Sequence, residues 1–144
     1  MEQVHATCVD IEGTGVLVRG PSGSGKSDLA LRLIDGGARL VADDRATLTL
    51  EGGRLVVTAP PKIAGLLEVR GQGVRRLPRV ERAVLGLVVD LVPPEQVERL
   101  AEAAQCEILG VTLALVRLAP FEASAAAKVR LAAAAPPVPR PPLA

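Results

Sequence analysis

An eight-residue stretch constrains this chain more than any other: residues 20–27 read Gly-Pro-Ser-Gly-Ser-Gly-Lys-Ser. The stretch matches the phosphate-binding loop pattern G-x-x-x-x-G-K-[ST] at every required position. Residues 16–18 before it predict a short buried strand, and residues 28–34 after it place apolar side chains at helical spacing, with Gly36 and Gly37 as a stop. A strand, a glycine loop and a helix in this order are typical of a P-loop, a site for nucleotide phosphates.

The loop pattern predicts how a nucleoside triphosphate is bound. Its backbone is expected to surround phosphate oxygens, aided by the dipole at the helix N-terminus. Lys26 is expected to reach the β- and γ-phosphates, and Ser27 to hold Mg²⁺ through its hydroxyl. The predicted nucleotide-binding residues are Gly20, Pro21, Ser22, Gly23, Ser24, Gly25, Lys26 and Ser27.

Two adjacent carboxylates, Asp43 and Asp44, follow the next apolar segment. P-loop enzymes use an acidic residue at the tip of a neighbouring strand to hold Mg²⁺ or its waters, and phosphoryl transfer to a hydroxyl needs a proton acceptor. Successive residues at a strand end point in different directions, so the two carboxylates can divide these tasks. Asp90, in the apolar run 84–92, is a second candidate on the metal side. The alternative is an Asp-Asp-Arg turn without chemistry.

Three other polar residues are ambiguous on spacing alone. A hairpin around residues 12–13 would bring His5 near the nucleotide, although a lone histidine is more often a surface residue. Glu68 and Arg70 stand two residues apart before a pair of glycines. They fit a Mg²⁺ ligand and a phosphate contact, and they fit an ordinary surface ion pair equally well.

The remaining pattern predicts one mixed α/β domain over residues 1–134, followed by a proline-rich, disordered tail at 135–144. We predict strands at 4–11, 84–92 and 111–115, a hairpin over 46–58, and helices at 95–104 and 121–134.

Composition narrows the possible partners. The net charge is +1 and Phe121 is the only aromatic residue, so no nucleic-acid partner is expected. No apolar run approaches the ~20 residues of a membrane span and no secretory signal opens the chain, which predicts a cytoplasmic protein with no membrane partner. Cys8 and Cys106 lack metal or disulfide spacing and are expected to be reduced thiols.

Taken together, these motifs resemble the catalytic domain of the bacterial HPr kinase/phosphorylase family. Val4-His5, the P-loop, residues 40–44 (Leu-Val-Ala-Asp-Asp) and residues 67–73 (Leu-Glu-Val-Arg-Gly-Gln-Gly) follow in the family's order, the last close to its signature E-I-R-G-x-G. The resemblance spans residues 4–92 and continues more loosely to about 134. It implies a P-loop α/β domain with a mixed β-sheet of the PEP-carboxykinase-like type.

The resemblance also implies a reaction: phosphorylation of a serine of the phosphocarrier protein HPr by ATP and Mg²⁺. Asp44 matches the proton acceptor, and His5 and Lys26 match other active-site positions, with which we group Arg70. Ser27 and Glu68 match the Mg²⁺ ligands, and we add Asp43 to them. Family members form hexamers, so a homo-oligomer is expected.

The chain departs from the family in two places. We expect no counterpart of the N-terminal domain of longer members, and in this the chain resembles the short alphaproteobacterial forms. The segment associated with phosphorolysis, P-V-R-P-G-R-N, is replaced by residues 115–122, in which at most Arg117 is retained. The reverse reaction, phosphorolysis of the phosphoserine, is therefore an open question.

Two other functions stay open on the sequence alone. One is a P-loop kinase for a small metabolite, which would need a lid and an arginine-lined substrate pocket. The other is an ATP-binding regulatory module with weak or no catalysis. Asp44 and Glu68 favour an enzyme, because simple nucleotide binding requires neither a proton acceptor nor a second acidic position.

Overall fold

The computed structural model describes residues 1–134, so the tail predicted at 135–144 lies outside the described residues. The strands are β1 (Glu2–Val4), β2 (Thr7–Ile11), β3 (Thr14–Arg19), β4 (Arg39–Ala42), β5 (Ala46–Glu51), β6 (Arg54–Thr58), β7 (Leu66–Val69), β8 (Gly73–Arg76), β9 (Arg82–Leu91), β10 (Ala104–Ile108) and β11 (Val111–Leu118). The helices are α1 (Lys26–Asp35) and α2 (Ala125–Ala134).

One large mixed sheet organises the domain. Its strand order is β1-β5-β6-β9-β3-β2-β4, and β11 also pairs with β9 and carries β10 along its other edge. The long strand β9 runs parallel to both β3 and β11. The first residues of β9, 82–84, pair with β6 in antiparallel fashion. Strands β7 and β8 form a separate hairpin. The predicted mixed α/β fold is therefore confirmed.

Apolar side chains bury both faces of the sheet. Val16 and Val18 of β3 face a core shared with Leu29 and Leu33 of α1 and with α2. Leu17, between them, faces a second core formed with β5, β6 and β11. Because a strand covered on both sides needs apolar residues at every position, β3 and β9 read as continuous apolar runs in the sequence.

Four predicted elements are wrong in extent or type; one is the strand predicted at 111–115, which continues to Leu118. No helix forms over 95–104: residues 94–96 make one 3₁₀ turn, 97–103 have no regular structure, and Ala104 already pairs with Leu115 of β11. Leu100, which such a helix would bury, is 53% exposed. The last helix begins at Ala125 rather than 121. The first strand is broken at residues 5–6, because β1 pairs with β5 whereas β2 pairs with β3 and β4.

The two helices are joined by a polar contact at the end of α1. The Arg130 guanidinium of α2 donates hydrogen bonds to the carbonyl oxygens of Arg32 (3.0 Å) and Leu33 (3.4 Å). The last carbonyls of a helix have no intrahelical partner and carry partial negative charge, so a cation there stabilises the helix end. Arg130 thereby fixes α2 against the helix that follows the glycine loop.

Replacing Arg130 with Met should lower the free energy of unfolding by about 1–2 kcal/mol, because it removes charge-assisted hydrogen bonds and keeps most of the apolar stem. Chemical denaturation measures the change. The control is Lys128→Met, which breaks an exposed ion pair to Glu122 (2.9 Å) and should cost less than about 0.5 kcal/mol. Equal losses in the two variants would contradict the role of Arg130.

Candidate active site

The glycine loop joins β3 to α1 in the conformation that its sequence requires. Gly23 and Gly25 have φ of 80° and 103°, in the left-handed region that favours glycine. The amide of Ser24 donates to the carbonyl of Pro21 (3.0 Å), and the carbonyl of Gly25 accepts the first helical hydrogen bond, from Leu29. The loop thus ends at the N-terminus of α1, where free backbone N–H groups favour an anion.

Lys26 is folded back onto this loop. Its side chain is almost fully buried, and Nζ donates to the carbonyl oxygens of Gly20 (2.7 Å) and Pro21 (3.0 Å). An ammonium group has three donors, so these two bonds leave one for a ligand. The loop carbonyls therefore hold a buried positive charge beside the helix N-terminus.

A second feature of the loop points to a polar ligand. The Ser24 hydroxyl oxygen is buried and has no hydrogen-bond partner among residues 1–134. A buried polar group without a partner costs roughly 1–3 kcal/mol, so such a group marks a place where a further partner fits. With Lys26 and the helix N-terminus on the same loop, the residues present fit a bound phosphate chain.

Asp43 connects the loop to two neighbouring strands. Its Oδ1 accepts hydrogen bonds from the hydroxyls of Ser27 (2.7 Å) and Thr7 (2.9 Å), and its Oδ2 accepts one from the amide of Glu68 (3.3 Å). The carboxylate is buried, so these bonds replace the water it has lost. Asp43 consequently orients Ser27 and positions the start of the Glu68 segment.

Asp44 points out of the same strand end and stays exposed. Its Oδ1 lies 2.5 Å from Nε2 of His5, which the break between β1 and β2 places there. Its backbone has φ of 67°, and its amide donates to the Thr7 hydroxyl at 3.3 Å. Adjacent carboxylates thus take different positions: Asp43 is buried behind Ser27, and Asp44 faces the solvent-filled cleft.

The cleft has a volume of about 380 Å³ and gathers most of the predicted residues. The loop, the first turns of α1, Asp44, the end of β7 and Phe121 line it; from β7 and the turn after it come Glu68, Val69 and Arg70. Ser27, Asp44 and Glu68 therefore face one space that also reaches the loop. Arg70 lines this space rather than pairing with Glu68: the ion pairs of residues 1–134 do not include either side chain.

The oxygen donors in and behind the cleft suit an open metal site rather than a closed cage. Within residues 1–134, no three His, Cys, Asp or Glu side chains converge on a common point. Mg²⁺ is usually held by one or two carboxylates together with phosphate oxygens and water. The Ser27 hydroxyl and the exposed Glu68 carboxylate, with the buried Asp43 carboxylate behind them, fit this pattern. The donor set suits Mg²⁺ delivered with a nucleotide.

Two residues considered on the sequence lie outside the cleft. Asp90 makes a two-point ion pair with Arg19 (2.7 and 3.0 Å), and its hydrogen bonds raise the pKa of Arg19 above its ordinary value. Arg117 lines a separate groove of about 740 Å³ between β11, residues 96–105 and α2. Neither side chain lines the cleft that holds Asp44 and Glu68.

Sequence reasoning missed two residues of the site. Thr7 is buried and links Asp43 to Asp44 through one hydroxyl. Phe121 lines the cleft from a turn that lies 94 positions after the end of the loop. The sequence predicted that this residue begins a helix. A small polar residue inside an apolar strand was the only signal for Thr7. The rarity of aromatic residues was the signal for Phe121.

A strand, glycine loop and helix on a mixed sheet define a P-loop α/β domain. The model for the HPr serine kinase C-terminal domain matches residues 1–135, and the chain belongs to that family. Among residues 1–134, no helix has the length and apolarity needed to cross a membrane.

Relatives and a solved structure agree with this assignment. The chain is 36% identical over 117 residues to the HPr kinase/phosphorylase of Lacticaseibacillus casei, covering 74% of this chain and 37% of the relative. It is 49% identical over 75 residues to that of an Exiguobacterium species, covering 51% and 24%. The chain thus spans about a quarter to a little over a third of the length of these relatives. The HPr(Ser) kinase/phosphatase of Coxiella burnetii superposes with a TM-score of 0.81 at 26% identity, covering 91% of this chain and 93% of that one.

Proposed function

We propose that this domain is an ATP- and Mg²⁺-dependent protein kinase that phosphorylates a serine of an HPr-like phosphocarrier protein. The observation that carries the proposal is the shared cleft, which joins a phosphate-binding loop to an exposed carboxylate, Asp44, hydrogen-bonded to His5. Membership of the HPr serine kinase family supports the identity of the acceptor protein.

The residues of the cleft divide the work of phosphoryl transfer. The γ-phosphoryl group passes through a loose transition state, so catalysis depends mostly on positioning and on neutralising charge. Lys26 and the amides of the loop supply positive charge at the phosphates. The seryl oxygen forms a bond to phosphorus while the bond from phosphorus to the ADP oxygen breaks. Asp44 accepts the proton that the seryl hydroxyl loses. His5 positions the Asp44 carboxylate through the 2.5 Å contact.

Ser27, Glu68 and Asp43 are the residues we assign to the metal. Bound Mg²⁺ would supply positive charge that offsets the negative charge of the phosphates. Asp43 holds the Ser27 hydroxyl at 2.7 Å and the Glu68 amide at 3.3 Å, so both ligand positions depend on one buried carboxylate. Arg70 lines the cleft beside Glu68 and is assigned to the transferred phosphoryl group.

We limit the proposal to the forward reaction. Arg117, the one residue retained from the phosphorolysis motif, lines a different groove. The hexameric assembly and the cytoplasmic location that the family resemblance and the composition predict stay predictions.

Labelled γ-phosphate from ATP tests the proposal. The purified chain, incubated with Mg²⁺ and an HPr-type carrier from the same organism, should transfer the label to the carrier, and chelation of Mg²⁺ should abolish the transfer. A carrier in which the acceptor serine is replaced by Ala is the matched control and should stay unlabelled.

The other outcomes separate the competing functions. ATP binding without transfer to the carrier would overturn the kinase proposal in favour of a regulatory module. ATP consumption stimulated by a small metabolite, with an unlabelled carrier, would favour a metabolite kinase.

A further inference from the structure

Phe121 is an aromatic side chain exposed in an unusual place. It is the only aromatic residue of the chain, and 72% of its surface is exposed. It lies in the turn between β11 and α2 and lines the same cleft as the glycine loop, Asp44 and Glu68. The function proposed above gives it no role.

The turn that carries Phe121 is held in place by α1. The Arg32 guanidinium donates hydrogen bonds to the carbonyl oxygens of Pro120 and Glu122, the residues before and after Phe121 in the chain. It also donates to Asp28 of its own helix. The Glu122 carboxylate in turn accepts from Lys128 of α2 at 2.9 Å. Three polar contacts thereby hold the turn that carries the exposed ring.

The ring also touches the glycine loop directly. A Cβ atom added to Gly25 would lie 2.9 Å from Cζ of Phe121 and 3.2 Å from Cε1. Gly25 therefore needs both its left-handed backbone, with φ of 103°, and the absence of a side chain under the ring edge. The edge of the ring therefore lies beside Gly25, on the loop side of the cleft.

The chemistry of this arrangement suits the base of a nucleotide. A nucleotide presents a charged phosphate chain and a flat base with a π-face, joined by a sugar, and the cleft presents a charged loop and one exposed aromatic ring. Among residues 1–134, the other large exposed apolar side chains, such as Leu109 and Leu131, do not line the cleft and carry no aromatic ring. Stacking on an aromatic ring does not depend strongly on which base is bound, because every base has a π-face.

We propose that Phe121 is the platform on which the nucleotide base stacks, and that it supports adenine and guanine to a similar degree. This inference rests on the proposed function, since it requires a nucleotide at the loop. It assigns the base-binding part of the cleft to the turn at 119–122, with Arg32 as the positioning residue of that turn.

Titration calorimetry with Mg²⁺ in excess tests the inference with three ligands: ATP, GTP and inorganic tripolyphosphate, which lacks a base. Phe121→Ala should lower the affinity for ATP and for GTP by about 10-fold each. It should change the affinity for tripolyphosphate by less than about 2-fold. Phe121→Tyr should keep wild-type affinity for all three. Leu131→Ala, a truncation of an equally exposed apolar residue outside the cleft, should change none of them.

The possible contrary results are distinct. An equal loss of affinity for tripolyphosphate would mean that the ring supports the loop rather than the base. Unchanged ATP affinity would overturn the proposal that the ring is a platform for the base. Unchanged ATP affinity with a raised KM for the carrier would assign the ring to protein docking instead. If the wild-type chain binds tripolyphosphate but discriminates against nucleotides, or binds no phosphate ligand at all, the proposed function itself fails.

Discussion

Replacing Asp44 with Asn is expected to reduce phosphoryl transfer by about 10²- to 10⁴-fold, because a neutral amide cannot accept the seryl proton. The affinity for Mg·ATP should change by less than about 2-fold. Asn is the suitable substitute because the backbone at this position has φ of 67°, which Asn tolerates and Ala does not. Its side-chain oxygen can still accept a hydrogen bond from His5. Single-turnover transfer to the carrier measures the rate.

The matched control for this variant is Asp35→Asn, which removes the same charge from the exposed last residue of α1, away from the cleft. It should transfer phosphate at the wild-type rate. An Asp44→Asn variant that keeps more than a tenth of the wild-type rate would remove Asp44 from the proposed role of base. A variant that loses ATP affinity as well would place Asp44 in nucleotide binding instead.

Replacing Lys26 with Met should have the second large effect. Met keeps most of the buried stem and removes the cation that we propose contacts the phosphates. We expect the dissociation constant of Mg·ATP to rise by at least about 10-fold, because a charged hydrogen bond is worth roughly 1.5–3 kcal/mol. Transfer at saturating ATP should fall by about 10²- to 10³-fold, since the charge that develops in the transition state loses a stabilising partner.

Lys62→Met is the control for this effect, because Lys62 is exposed in the 3₁₀ turn at 61–63 and does not line the cleft. The control should bind and transfer like the wild type. Circular dichroism should first establish that Lys26→Met is folded, since the carbonyls of Gly20 and Pro21 lose their shared donor. A folded variant with unchanged ATP affinity would contradict the assignment of the loop as the nucleotide site.

The features that sequence reasoning predicted are those set by neighbouring residues. The glycine loop, helix α1 and the hairpin β5–β6 depend on short-range rules: glycines at turns, apolar spacing on a helix, alternation in a strand. The carboxylates at the end of β4 were found for the same reason, because an apolar run that stops at two acidic residues marks a strand end. Each of these signals lies within about ten residues of the element it predicts.

The features that it missed depend on distant partners. Residues 95–104 have the spacing of an amphipathic helix, but the edge of β11 recruits Ala104–Ile108 as a strand instead. Thr7 gains its role only because β2 pairs with β4 and so sets its hydroxyl beside Asp43. Phe121 belongs to the cleft because Arg32, on another element, holds its turn. No local pattern carries that information.

The most direct test of the account is to map the phosphorylated residue of the carrier by mass spectrometry after incubation with Mg·ATP and either the wild-type chain or Asp44→Asn. We expect one phosphoserine on the carrier with the wild type and none with the variant over the same time. Phosphate on a different residue type, or the same phosphoserine at an equal level with Asp44→Asn, would contradict it.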